Sequence, residues 1–187
     1  MSRPLAKNLP ARQRALADAV SEIERHVSRG GWDGPIRVFA LISTKQALDT
    51  DPELAEQLPV GTIDAALADP EHLTSVEQED LPSADSLEEL LAHIAWPDAV
   101  TGCAVVTERV ILPPSAEAEI PDDPAAALRF ISAHPEREEV RMAVGSMRSG
   151  ESWCALRTRT NDSDLEVAHG ADLVPGLISA VHATLQP

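Results

Sequence analysis

Four residues in the last third of the chain have the types and spacing that could do chemistry: Arg141, Trp153, Arg157 and Arg159. They fall in Glu138–Thr160, EEVRMAVGSMRSGESWCALRTRT, where Val140, Met142 and Val144 alternate before Ser149-Gly150 and Cys154, Leu156 and Thr158 alternate after it. Period-two alternation on both sides of a glycine-containing turn predicts a β-hairpin. A two-residue loop would set Met142 beside Arg157 and put a charge into the apolar row. A three-residue loop, Arg148-Ser149-Gly150, pairs Val144 with Cys154, Met142 with Leu156 and Val140 with Thr158. One face is then apolar throughout. Register follows the apolar pattern, so the second loop is predicted, with Gly150 in the left-handed conformation.

On the opposite face Glu139 then meets Arg159, Arg141 meets Arg157, and the Trp153 indole lies over the bare backbone of Gly145. Two guanidinium groups side by side repel each other and call for an anion between them. Either a ligand or partner supplies it, or Asp and Glu side chains of the chain itself do. If helices cover this face, Trp153 belongs to the core. If they do not, tryptophan and arginines together form a surface of the kind favoured at binding hot spots. Arg141, Arg157, Trp153 and Arg159 are therefore the candidate binding residues.

Other chemistries have weaker signals. Glu77, Glu79 and Asp80 could act as acid or base only where burial shifts a carboxyl pKa; otherwise they form a solvated acidic edge. Cys103 and Cys154 sit in apolar strand contexts, which favours inert buried thiols over a nucleophile or a disulfide framework. His134, Glu136, Glu138 and His169 have no spacing suited to a metal, because Pro135 breaks the helix on which His134 sits. There is no phosphate-binding loop, dinucleotide fingerprint, nucleophile elbow or zinc-protease motif. No catalytic residue, metal or cofactor is called for.

Composition narrows the partners. The 187 residues carry a net charge of −16, with 13 Arg and only two Lys. Such a chain is repelled by phosphate backbones and anionic membranes, and it lacks a basic stripe. Nucleic acid and membrane are thus not expected as partners; no stretch approaches the roughly 20 apolar residues of a spanning helix, and the basic start has no apolar core of a secretory signal. A cytoplasmic location is expected. Between Lys45 and Arg109 there is no Lys or Arg, so the acidic middle either closes against the basic ends or offers an acidic face to a partner. With three Trp, two Phe and no Tyr, the core must be aliphatic.

These residues are positioned by a predictable set of elements. Leu16, Val20, Ile23 and Val27 give a first helix over Pro10–Arg29, stopped by Gly30-Gly31. Ile36–Ile42 is a strand apolar on both faces. Short helices follow at Lys45–Asp49, Pro52–Gln57 and Ile63–Ala68. His72–Glu79 reads as a short edge strand. Ser86 caps a helix over Leu87–Ala95, and Val100–Leu112 is a long central strand. Pro113–Asp123 is an acidic connection expected to be mobile. Asp123-Pro124 opens a helix to Ala133, and the hairpin follows. Leu165–Val167 is an irregular strand, and Asp172 caps a final helix, Leu173–Leu185. Such an order gives one α+β domain spanning residues 1–187: an antiparallel sheet of about five strands, the N- and C-terminal helices packed on one face. The order of elements is similar to that of type III secretion chaperone-like domains, an analogy of fold alone.

Several strings together resemble a family of uncharacterised actinobacterial proteins: Gly31-Trp32-Asp33, LTSVEQEDLP at 73–82, IAWPDAVTGCAVVTERVILPP at 94–114, AHPEREEVRMAVG at 133–145, WCALR at 153–157 and DLVPGL at 172–177. That resemblance covers nearly the whole chain. It implies a cytoplasmic protein of a GC-rich bacterium and carries no established activity, so it transfers no catalytic residue. The expected function is a non-enzymatic binding or adaptor module, chaperone-like, that docks a protein partner or forms a homodimer through its sheet. The alternative is an enzyme that clamps a small anionic substrate with Arg141 and Arg157 and uses Glu77 or Glu79 as base.

Overall fold

The computed structural model describes residues 8–187; the basic start, residues 1–7, lies outside them. Six strands form one antiparallel sheet: β1 (Arg37–Ser43), β2 (Leu73–Glu77), β3 (Gly102–Ile111), β4 (Glu138–Met147), β5 (Ser152–Thr158) and β6 (Ala168–Gly170), in the order β2-β1-β3-β4-β5-β6. Among the described residues there are seven α-helices: α1 (Ala11–Ser28), α2 (Thr44–Thr50), α3 (Val60–Ala68), α4 (Leu87–Ala92), α5 (Pro114–Glu117), α6 (Pro124–Ala133) and α7 (Pro175–Ala183). The fold is α+β.

The hairpin β4–β5 has the expected register: Val144 pairs with Cys154, Met142 with Leu156, Val140 with Thr158, and Arg141 with Arg157. Gly150 takes φ 104° in the three-residue loop, the left-handed region that a glycine occupies without strain.

The two terminal helices lie on opposite faces of the sheet, not on one. Leu16, Val20, Ile23 and Val27 of α1 pack with Phe39, Leu41, Ala104, Val106, Ala143 and Ala155. Val181 and Leu185, at α7 and just beyond it, pack with α4 against Val38, Cys103, Val105, Val144 and Cys154. The reason is in the strands. Adjacent residues of a strand point to opposite faces; β1 and β3 are apolar in both rows through their middles, and β4 and β5 carry apolar side chains on both faces besides Arg141 and Arg157, so each face needs a cover. Burying each large aliphatic side chain contributes about 1.5–3 kcal/mol, which neither row could gain if both helices shared a face.

Three smaller differences have local causes. The sixth strand is Ala168–Gly170, beyond the expected Leu165–Val167; Leu165 is exposed and its loop is held by Arg157 instead. The last helix starts at Pro175, whose fixed φ and missing N–H suit a first helical position; Leu173 instead lies beside Gly170. The acidic connection after β3 contains the single turn α5, with Ala116 buried.

Candidate functional site

β4 and β5 set Arg141 and Arg157 side by side, and α1 lies across them. Arg141 is fully buried and Arg157 is 3% exposed. Each cation has partners from this chain. Glu24, on the underside of α1, receives Arg157 Nε on Oε1 (2.6 Å) and Nη2 on Oε2 (2.9 Å). Arg157 also donates to Asp164 (2.6 Å) and Asp162 (3.1 Å) in the loop after β5. These carboxylates raise the Arg157 pKa, Glu24 most of all. Arg141 donates from Nε (3.1 Å) and Nη2 (2.9 Å) to Glu108 Oε1 on β3, and from Nη2 to the Gly31 carbonyl.

The turn after α1 ties the two arginines together. The Arg141 guanidinium stands 4.3 Å from the Trp32 ring centroid and that of Arg159 5.7 Å, both within cation–π reach. Trp32 Nε1 donates to Asp162 Oδ2 at 2.9 Å, while Asp162 Oδ1 accepts from Arg157. Asp33 has φ 65°, uncommon for a residue with a Cβ. Its N–H is held by Glu108 Oε2 at 2.7 Å and its carboxylate by Arg159 at 3.0 Å from both Nη1 and Nη2. Glu139 accepts from Arg159 as well. The indole hydrogen bond and then Arg157 hold Asp162 below the usual carboxylate range, Arg157 does so for Asp164, and Arg159 for Asp33.

The four candidate binding residues thus stand as follows. Arg141 and Arg157 are interior groups paired with Glu24, Glu108, Asp162 and Asp164, not a free arginine surface, and Arg141 Nη1 keeps no hydrogen-bond partner among the described residues. Trp153 is a core residue, 6% exposed, under α1. Arg159 is exposed but engaged by Asp33 and Glu139. Gly145 does pair with Trp153, but what requires glycine there is α1: a Cβ would meet Val20 Cγ2 at 2.5 Å.

The groups of the enzyme alternative do not converge. Glu77 is on β2, and β1 and β3 separate it from Arg141 on β4. Arg37 holds Glu77 with Nε and Nη2 and lowers its pKa. Cys103 is buried against Thr184, and desolvation pushes its thiol up to about 11; burial raises Cys154 too. His134 lies tilted against Phe130, ring centroids 5.6 Å apart, while His169 lies on β6. Among the described residues no group of three or more His, Cys, Asp or Glu could hold a metal ion. One pair escaped the sequence reading: Ser146 Oγ lies 3.0 Å from His182 Nδ1. Ser146 is 1% exposed and the other ring nitrogen meets Gln186, an uncharged amide, so the pair ties β4 to α7.

Among the described residues, β2 has no strand paired on its outer side. Gln78 N donates to Val38 O and Thr44 N to His72 O, which makes the even-numbered residues of β2 the bonded partners of β1. The N–H and C=O groups of Leu73, Ser75 and Glu77 therefore point away from the sheet. Their side chains lie on the α1 face, where a groove of about 560 Å³ is lined by Asp18, Glu22, His26, Ser75 and Glu77 among others. An apolar side chain, Val76, is 43% exposed on the other face of the edge. Strand LTSVE was legible as an edge. The groove was not, because it needs α1 and β2 to run together.

A family model described as PPA1309-like protein matches residues 16–186. No curated protein and no solved structure matches the chain.

Proposed function

We propose a binding function for this chain, which belongs to the PPA1309-like family, an actinobacterial family with no established activity: it is a non-enzymatic, cytoplasmic adaptor, chaperone-like in use, that docks an extended protein segment along β2. The observation that carries this reading is the free edge. Leu73, Ser75 and Glu77 present unpaired backbone donors and acceptors beside a groove, the arrangement used in strand addition. Exposed edges invite pairing with another chain, and proteins commonly block them with proline, bulges or a covering element; among the described residues β2 carries none of these, and Ser75 and Val76 are exposed. The buried arginine ladder supports the same reading indirectly, since it fixes α1 on the sheet and thereby shapes one wall of the groove. No helix among the described residues is long and apolar enough to cross a membrane.

The test is selection from a phage library of random heptapeptides on wild-type protein and on Ser75→Pro. Proline at 75 removes an outward N–H and leaves the β1 ladder intact. Sequences enriched on the wild type and not on the variant are expected. Equal enrichment on both would place binding elsewhere.

A further inference from the structure

The charges along β2 define what kind of segment fits. Asp18 and Glu22, one turn apart on α1, line the groove. Neither forms a salt bridge among the described residues, whereas Arg12, Arg14 and Arg37 nearby are engaged by Glu71, Asp69 and Glu77. Partial desolvation raises the Asp18 pKa against the opposing pull of Arg14 and His72. Beyond the strand, Glu79 and Asp80 are exposed. The other half of the groove carries Arg25, His26 and Arg29, with Arg25 4.0 Å from Asp164.

Resting on the edge-docking reading, we infer that the occupant is an extended peptide segment with two basic side chains, Lys or Arg, spaced two residues apart. The spacing follows from geometry. Residues four apart on a helix are separated by about 6 Å along its axis. Residues two apart on a strand lie on one face at about 6.7 Å. A strand paired outside Leu73, Ser75 and Glu77 projects alternate side chains onto the α1 face. Two of them then reach Asp18 and Glu22 together. A second copy of this chain, pairing its β2 with this one antiparallel about a two-fold axis, is the competing occupant and is distinguished by its oligomeric state.

Fluorescence anisotropy with three labelled heptapeptides tests this. They share a Val-rich extended frame and differ at two positions, which are Arg-x-Arg, Gln-x-Gln or Glu-x-Glu. The Arg peptide is expected to bind tightest and to weaken with salt. Asp18→Asn with Glu22→Gln, both on the exposed side of α1, should weaken it about five- to tenfold and leave the Gln peptide unchanged. Ser75→Pro should weaken both. If the Arg and Gln peptides bind wild type equally and Ser75→Pro weakens both, the edge reading stands and the basic-pair inference falls. If Ser75→Pro changes none of them, both fall. A wild-type dimer in sedimentation that Ser75→Pro dissociates would assign the edge to a second copy and overturn the inference.

Discussion

Glu24 and Arg157 meet as a two-point ion pair beneath α1, with side chains 3% and 4% exposed. A buried carboxylate and guanidinium in this geometry add little over an apolar pair of the same volume, but removing one partner leaves the other charged in a dry site. Glu24→Ala is expected to destabilise the protein by about 3 kcal/mol, at the lower end for such pairs because Asp162 and Asp164 remain on Arg157. Glu24→Leu combined with Arg157→Met should recover most of that loss. Urea unfolding of the three variants measures it; a Glu24→Ala midpoint equal to wild type would contradict the account.

Charge reversal separates the interior arginine from the exterior one. Arg141→Glu places a buried carboxylate beside Glu108 and under Trp32, and a loss of about 3–5 kcal/mol is expected. Arg159→Glu lies at the exposed end of the same ladder and should leave the protein folded. Circular dichroism and gel filtration of the two variants decide the matter. A cooperative, monodisperse Arg141→Glu protein would mean that the guanidinium is not held inside.

How far this could be read from the sequence depends on the range of the interaction. The hairpin was legible because the alternation of Val140, Met142 and Val144 against Cys154, Leu156 and Thr158 is local and admits one register with a clean face. The juxtaposition of Arg141 with Arg157 followed from it. What neutralises them did not, because Glu24, Glu108 and Trp32 come from distant segments and show no spacing relation to the hairpin. Glu24 in particular sits at a helix position that periodicity alone assigns to the apolar face between Val20 and Val27. The placement of α7 opposite α1 was recoverable in part: Val38 and Phe39, like Val105 and Val106, make both rows of their strands apolar, and two apolar rows require two covers. The groove beside β2 had only the Asp18–Glu22 spacing to announce it, which is common on any solvated helix.

Acid should loosen the ladder. Asp33, Asp162 and Asp164 all have folded-state pKa values lowered by their partners. A carboxylate with a depressed folded pKa contributes stability above its unfolded value of about 3.9 and loses it as pH falls through the lower folded value. Stability in urea should therefore hold near neutral pH and decline below about pH 4. Asp162→Asn with Asp164→Asn should start less stable at pH 7 and decline less steeply. Parallel curves for variant and wild type would show that these two carboxylates are not linked to folding.

The thiols offer a readout of core opening. Cys103 and Cys154 are both fully buried, and desolvation raises both pKa values, that of Cys103 to about 11. Thiolate is the reactive form, so neither should react with Ellman's reagent at pH 7 in the native state, and both should react once urea unfolds the sheet. Rapid labelling of one cysteine without denaturant would indicate that α7 lifts from its face.

Gly145 tests the cover on the other face. Its α1-side surface is occupied by Val20 Cγ2 and Leu16 Cδ1, which a Cβ would meet at 2.5 and 3.1 Å. Both neighbours are fully buried, so neither has free space to rotate into, and overfilling a packed core of this kind destabilises by about 1–3 kcal/mol. Gly145→Ala should lower stability by that amount, and Val20→Ala should offset part of the loss in the double variant, because the methyl removed is the one that clashes. Additive effects of the two changes, read from thermal unfolding as a double-mutant cycle, would mean that α1 does not sit over Gly145. The groove that α1 forms with β2 would then need another wall.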